Sequence, residues 1–292
     1  MFADAYEKAS GFTHPVVLSL RFFDKTVECR LASFIVLNPE GWIVTVAHLF
    51  EPHLASKQHS RERNEYSKKL AAIEQNAHLS TAQRQKEIRR LKSNPKWITD
   101  LSFWWGLKGS QAAEFTAFPE ADLAIGRLQP FDPKSISTYP ILKNPANLRL
   151  GTSLCKLGFP LHQIKATFDE KSNSFKFQRG ALPVPRFPIE GIATRHIAAG
   201  KSRDGKHEIK FLETSSPGLK GQSGGPIFDA DGTVWAIQSR TATIPLGFSA
   251  TVENNGRQVE ENQLLSVGWG VHPETMVTFL QDNNISFQLS DC

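Results

Sequence analysis

Residues 221–226 read Gly221-Gln222-Ser223-Gly224-Gly225-Pro226 and run straight into the apolar stretch Ile227-Phe228-Asp229-Ala230. A hydroxyl set between glycines at the mouth of a strand suits acyl transfer, because the serine can attack a carbonyl while neighbouring backbone N–H groups hold the oxyanion that forms. Gly221 can take the backbone angles that aim its N–H at the same point as the N–H of Ser223, and Gly224 and Gly225 leave room for a substrate. A glycine-rich turn containing a serine is also common for purely structural reasons, so the string alone leaves both readings open.

Serine is a poor nucleophile until its proton has somewhere to go, so the search moves outward for a base and for a group to orient it. Thr45-Val46-Ala47-His48 closes an apolar strand, and Ala121-Asp122-Leu123-Ala124-Ile125 opens another. Each has an ordinary explanation by itself, the histidine as a strand-end residue and the aspartate as a cap. Taken together in the order His, Asp, Ser they form a catalytic set: Ser223 as nucleophile, His48 as general base and Asp122 as the group that fixes the imidazole. The N–H groups of Gly221 and Ser223 are the candidate oxyanion hole.

The segments TVAHLF (45–50), ADLAIGRL (121–128) and GQSGGP (221–226) resemble the three signature segments of trypsin-like serine proteases of the chymotrypsin fold, closest to the bacterial intracellular and HtrA-like branch. The order of the three residues separates this pattern from subtilisins and from α/β-hydrolases. The resemblance implies an all-β fold of two antiparallel β-barrels with a helical hairpin insertion and a C-terminal helix. Residues 1–135 would form the first barrel, carrying His48 and Asp122 and interrupted by the insertion at about 52–96. Residues 136–292 would form the second, carrying Ser223 and ending in a helix at about 273–283. It further implies a serine endopeptidase working through an acyl-enzyme on protein substrates, without metal or organic cofactor. Ser216, Pro217, Gln238, Ser239 and Arg240 would line the substrate pocket, with Ser239 also supporting the aspartate.

Two positions depart from the secreted members of that family, which carry a Cys after the histidine and an Asp before the serine. Here those places hold Leu49 and Gln222. Without that Asp there is no partner for a newly cut N-terminal amine, so control by such a salt bridge is not expected, in keeping with a chain that retains Met1. No acid is clearly placed for a basic substrate side chain, Glu213 standing too far upstream.

The rest of the chain reads as short β-rich runs broken by turn residues. VVLSLRFF, ECRLASFIVL, the turn NPEG and WIVTVAHLF come first, and TSLCKLGFP, HEIKFLETS, GPIFDADGTVWAIQSR and LLSVGWGV follow. Residues 54–91 break this grammar, being rich in Ala, Glu, Lys, Arg and Gln and free of Gly and Pro, which predicts two helices parted near 76–79. Ser80 and Gln83 fit a capping box for the second. The proline-rich stretch around RGALPVPRFPIEG, within 165–207, predicts an exposed loop, and 243–263 a loop or hairpin excursion.

The formal charge is +5, yet between Pro52 and Trp97 eleven basic side chains face four acidic ones, so the excess belongs to the insertion. That surface reads as a solvated structural addition or as a docking site for a regulator. Its single Tyr66 and lack of a stacking array give nucleic acid no more than nonspecific phosphate contact. Three well-separated cysteines, Cys29, Cys155 and Cys292, read as reduced thiols, and neither a signal-like N-terminus nor an apolar run near the ~20 residues of a membrane span is present. A soluble, cytoplasmic protein is the expectation. Two alternatives stay open: a protease-like module that binds protein without using its serine, and a nucleic-acid-associated protein acting through the hairpin.

Overall fold

The computed structural model describes residues 2–107, 109–254 and 257–291, without the side chains of 252–261; Met1 and Cys292 lie outside the described residues. A helix the sequence reading passed over, α1 (Ala3–Phe12), leads into β1 (Thr13–Phe22), β2 (Val27–Val36) and β3 (Trp42–Thr45). Helices α2 (Glu51–Glu74) and α3 (Thr81–Arg90) follow, then β4 (Ile98–Trp105), β5 (Gln111–Phe118) and β6 (Leu123–Gln129). These six strands form one sheet in the order β4-β1-β2-β3-β6-β5. It is curled enough that its two edge strands meet through Trp105 and Phe115, ring centroids 5.8 Å apart.

The second half holds β7 (Ile141–Leu142), β8 (Ser153–Gly158), β9 (Ala166–Asp169), β10 (Ser174–Phe177), β11 (Phe187–Lys201) and β12 (Glu208–Thr214). After these come β13 (Pro226–Phe228), β14 (Val234–Asn254), β15 (Arg257–Val271), α4 (Pro273–Asp282) and β16 (Gln288–Leu289). Strand β13 pairs with both β8 and β14, so the run β13-β8-β11-β12-β15-β14 closes on itself, with β7 and β16 appended in parallel. Ladders are otherwise antiparallel, and the fold is the all-β, chymotrypsin-type pair of barrels with a helical hairpin and a C-terminal helix.

Strands β4 and β5 are not among the turn-bounded runs read from the sequence, and QAAEFTAF is Ala-rich, which hides it from a propensity reading. The proline-rich stretch is part loop and part strand: Pro183 and Pro185 lie outside the ladders, whereas Pro188 sits inside β11 opposite Leu157. The excursion at 243–263 is a long two-stranded extension of β14 and β15. One apolar cluster, including Phe12, Phe34, Ile43, Leu157, Phe228 and Leu280, runs through both sheets and the helices at either end of the chain.

Helix α2 carries Pro52 in its first turn, where a missing N–H costs nothing. With 24 residues it extends about 36 Å. It is fastened to the first sheet by Trp97 Nε1 donating to Glu62 Oε2 at 2.6 Å, by the Ile98 N–H donating to His59 Nδ1 at 3.0 Å, and by the Phe23–Tyr66–Trp97 ring cluster. Helix α3 opens with the reciprocal cap: the Gln83 N–H donates to Ser80 Oγ, and the Ser80 N–H to Gln83 Oε1. No described helix is long and apolar enough to cross a membrane.

Candidate active site

The pairing of β3 with β6 places Thr45 opposite Ala124, so the chain leaving β3 and the chain entering β6 lie side by side. His48, in the short 3₁₀ turn Ala47–Phe50 that follows β3, therefore meets Asp122 just before β6. The His48 Nδ1 lies 2.9 Å from Asp122 Oδ2 and 3.0 Å from Oδ1, and the His48 backbone N–H donates to Oδ1 at 3.0 Å. Those contacts select the tautomer with a proton on Nδ1 and leave Nε2 free to accept one.

Asp122 adopts φ +55, ψ 42, a left-handed conformation that L-residues other than glycine rarely occupy, though Asp tolerates it better than most. Such a position costs on the order of 1 kcal/mol or more and persists where its surroundings over-determine it. Here they do, because the Ser239 hydroxyl donates to Oδ2 as well. Burial pushes the Asp122 carboxyl up, but the His48 ring, the Ser239 hydroxyl and the His48 N–H together outweigh it and hold the group below the ordinary carboxylate value.

Ser223 arrives from the other barrel. Strand β13 pairs Pro226 with Ile237, which carries the preceding turn alongside Gln238 and Ser239. The Gly224 N–H donates to the Gln238 carbonyl at 2.8 Å, and Ser223 Oγ lies 3.4 Å from the Ser239 carbonyl. Ser33 of β2 ties this turn to the first sheet: its N–H donates to the Ser223 carbonyl and its Oγ to the Gly221 carbonyl, both at 2.8 Å. Gly224, at φ +85, packs so tightly that a Cβ would overlap the Ser33 carbonyl and Thr45 Oγ1.

Gly221 takes φ +102, and among the described residues neither its N–H nor that of Ser223 meets an acceptor. Two backbone donors flanking the hydroxyl are thus left unspent, as an oxyanion hole requires. Beside His48 and Ser223 opens a cleft of about 740 Å³, with Leu31, Leu49 and Ile164 among its walls, Pro52 of α2 at one side, and Lys165 and Lys220. A second hollow of about 810 Å³, beside Lys143, Asp229 and Trp235, contains none of these residues.

Residues 32–237 of the chain match the family model of the trypsin-like peptidase domain. The chain belongs to that family. Searched against curated proteins, it has no match. Among solved structures it is similar to the HtrA-type protease AlgW with tripeptide, at 14% identity and TM-score 0.48, over 97% of this chain and 63% of that one. A variant of the same protease with a decapeptide gives 12% identity and TM-score 0.48, over 97% and 68%. The chain spans less than two thirds of the length of the first of these.

The peptidase domain brings His48, Asp122, Ser223 and Gly221 to one place. The five residues expected along a substrate pocket are arranged differently from one another. Gln238 and Ser239 are buried, Ser239 on Asp122, with Gln238 Nε2 donating to the Arg240 and Trp269 carbonyls. Arg240 is exposed, and Ser216 and Pro217 are half-buried. Gln222 takes the buried place before the serine, its Oε1 accepting from the Leu219 N–H at 3.0 Å. Glu213 is occupied by Arg195, Thr194 and Trp269.

Two residues escaped the sequence reading. Ser33, the tie between the barrels, gives no sequence signal. Lys156 does: it interrupts the apolar run Leu154-Cys155-Lys156-Leu157, and the structure buries it to 1% exposure. Among the described residues no group of three or more His, Cys, Asp or Glu side chains could hold a metal ion.

Proposed function

We propose that this peptidase is a serine endopeptidase that cleaves protein substrates through an acyl-enzyme, its two catalytic halves divided near residue 135. The His48 Nε2 takes the Ser223 proton as Oγ attacks the peptide carbonyl, the N–H groups of Gly221 and Ser223 receive the oxyanion, and the imidazolium returns the proton to the leaving amine. Asp122 holds the imidazole and offsets its charge. The reading rests chiefly on the clasp of His48 by Asp122 across from two unspent backbone donors at Ser223. Hydrogen bonds of this kind are often long in the unliganded state, and here the Ser223 hydroxyl is turned to the Ser239 carbonyl, 3.4 Å away.

That same rotamer favours a second reading, a domain that binds protein and leaves its serine idle until a partner engages it. Helix α2 gives such control a route, since Pro52 in its first turn borders the cleft that His48 and Ser223 line. We place the protein in a reducing, cytoplasmic setting, on the free thiols of Cys29 and Cys155. The test is labelling of the purified protein by a fluorophosphonate, mapped by peptide mass. An adduct on Ser223 that Ser223→Ala abolishes is the expected result. Absence of adduct on a folded protein would favour the idle module.

A further inference from the structure

Lys156 lies on β8, its side chain running under the segment that leads to the serine. Its Nζ donates to the carbonyl oxygens of Ser216 and Pro217, the second at 3.2 Å. Among the described residues no carboxylate lies within salt-bridge distance, and no acceptor beyond these two carbonyls meets the ammonium. A buried ammonium lacking a counter-charge is costly, and the group usually either meets an anion or gives up its proton. Burial accordingly lowers the Lys156 pKa to about 7. Nothing in the catalytic scheme above uses it.

Its position gives it a use. From Ser223 the chain back to Ser216 runs beside Gln238–Thr241, the two being joined where Thr241 Oγ1 donates to the Gly218 carbonyl at 2.6 Å. Gly268 pairs with both Thr214 and Thr241, and a Cβ at this glycine would overlap the Lys156 ammonium. The absence of a side chain at 268 thus makes room for Nζ, and the Gln238 amide packs against Gly218 in the interval between the two segments. The Ser216 hydroxyl, buried and unpaired among the described residues, faces Gly191 of β11 instead, so that only the Ser216 carbonyl meets Lys156. Lys220 and Arg240 are exposed, the Arg240 guanidinium lying over the Phe211 ring. Glu213, on the adjacent β12, is already paired with Arg195.

We infer that Lys156 is a specificity-determining residue, forming the floor of the pocket for the side chain that precedes the scissile bond and selecting a carboxylate, Glu or Asp, at that position. The assignment rests on the reading of Ser223 as the nucleophile. The incoming carboxylate takes the free Nζ–H and displaces the Gln238 amide from the interval. A charge-assisted pair of this sort, out of water, discriminates against a neutral isostere because the neutral side chain leaves the ammonium unpaired.

Two measurements on the full chain test the assignment. First, labelling rates are compared for peptidyl phosphonates that differ only in a Glu-like, Leu-like or Lys-like side chain next to phosphorus, with a simple fluorophosphonate as the reference. Second, Ser223→Ala protein is titrated with peptides identical except for Glu or Gln at that position. The expected results are at least about tenfold faster labelling by the Glu-like probe, measured relative to the simple fluorophosphonate, and at least about tenfold tighter binding of the Glu peptide, both preferences being lost in Lys156→Met and Lys156→Gln. Equal rates and equal affinities in the unsubstituted pocket would overturn the inference, and that comparison does not depend on either Lys156 variant folding. Simple labelling without Glu preference would sink the pocket assignment and leave the peptidase reading standing. Glu preference in binding with no labelling by any probe would do the reverse.

Discussion

The two sides of the active site are finished to different degrees. On the first barrel, Asp122 has its oxygens filled by the His48 ring, the His48 N–H and Ser239, and His48 is held at two points. On the second, the strip from Ser216 to Ser223 keeps its donors in hand: the N–H groups of Gly221 and Ser223 and one N–H of Lys156. On the proposed mechanism, the groups that would move a proton are set in advance, whereas those that would grip a substrate are left incomplete. An unsatisfied buried donor costs about 1–3 kcal/mol, so the second side stores a deficit that a ligand can relieve.

The comparison breaks first at Asp122. Asp122→Asn keeps the shape but reverses the hydrogen-bond preference at His48 Nδ1, and labelling or turnover at Ser223 should fall about 10⁴-fold with the fold intact by circular dichroism. A drop of less than about tenfold would mean that the first side is not the preset half. Gly224→Ala attacks the junction instead. The new methyl meets the Ser33 carbonyl at a backbone angle that disfavours it, so we expect loss of roughly 3 kcal/mol in unfolding free energy and near-complete loss of labelling.

Ser239→Ala sharpens the contrast with a smaller effect, about tenfold in rate, by removing one of the donors to the buried carboxylate. Its distinguishing readout is pH. Because Ser239 helps hold the Asp122 carboxyl below its ordinary value, the stability this group contributes is present above the unfolded-state value and is lost as pH falls through the folded one. Without Ser239 the folded value moves up towards the unfolded one, so the acid-dependent loss of stability should be smaller and should level off at a higher pH.

The smallest effect belongs to His272, which caps α4 by accepting the Glu274 N–H on Nδ1 while its Nε2 meets His196 Nδ1 at 3.0 Å. Burial and the neighbouring His196 lower it from 6.5 to about 4. The unfolded chain therefore takes up a proton first, and stability should fall as pH drops from 6.5 towards 4 and level off below. By pH 5 the loss is about 1–2 kcal/mol. His272→Asn, which keeps a good cap, should flatten that part of a melting-temperature profile.

The sequence exposed the first side better than the second. His48, Asp122 and Ser223 each sit at a strand boundary in short, recognisable strings, and β3 and β6, which pair side by side, are both continuous apolar runs. The helical hairpin was legible from its composition and from the Ser80–Gln83 cap, because local propensity and final structure agree there. Helix α1 was not, since its buried Ala5, Ala9 and Phe12 are too few to print a period, and it is held by packing on distant strands of the second barrel. The substrate side stayed obscure for a related reason. Ser216 and Lys156 are sixty residues apart and meet only because β8 runs beneath the turn, so no local string records the contact.

Ser33 joins the nucleophile's turn to the first barrel by two hydrogen bonds, one on either side of Gln222. The serine's placement is consequently a report on whether both barrels are in register. A chain caught half-made, nicked or partly melted in one barrel would lose the placement of Ser223 before it lost much else. On the proposed function, damage of that kind would be self-silencing.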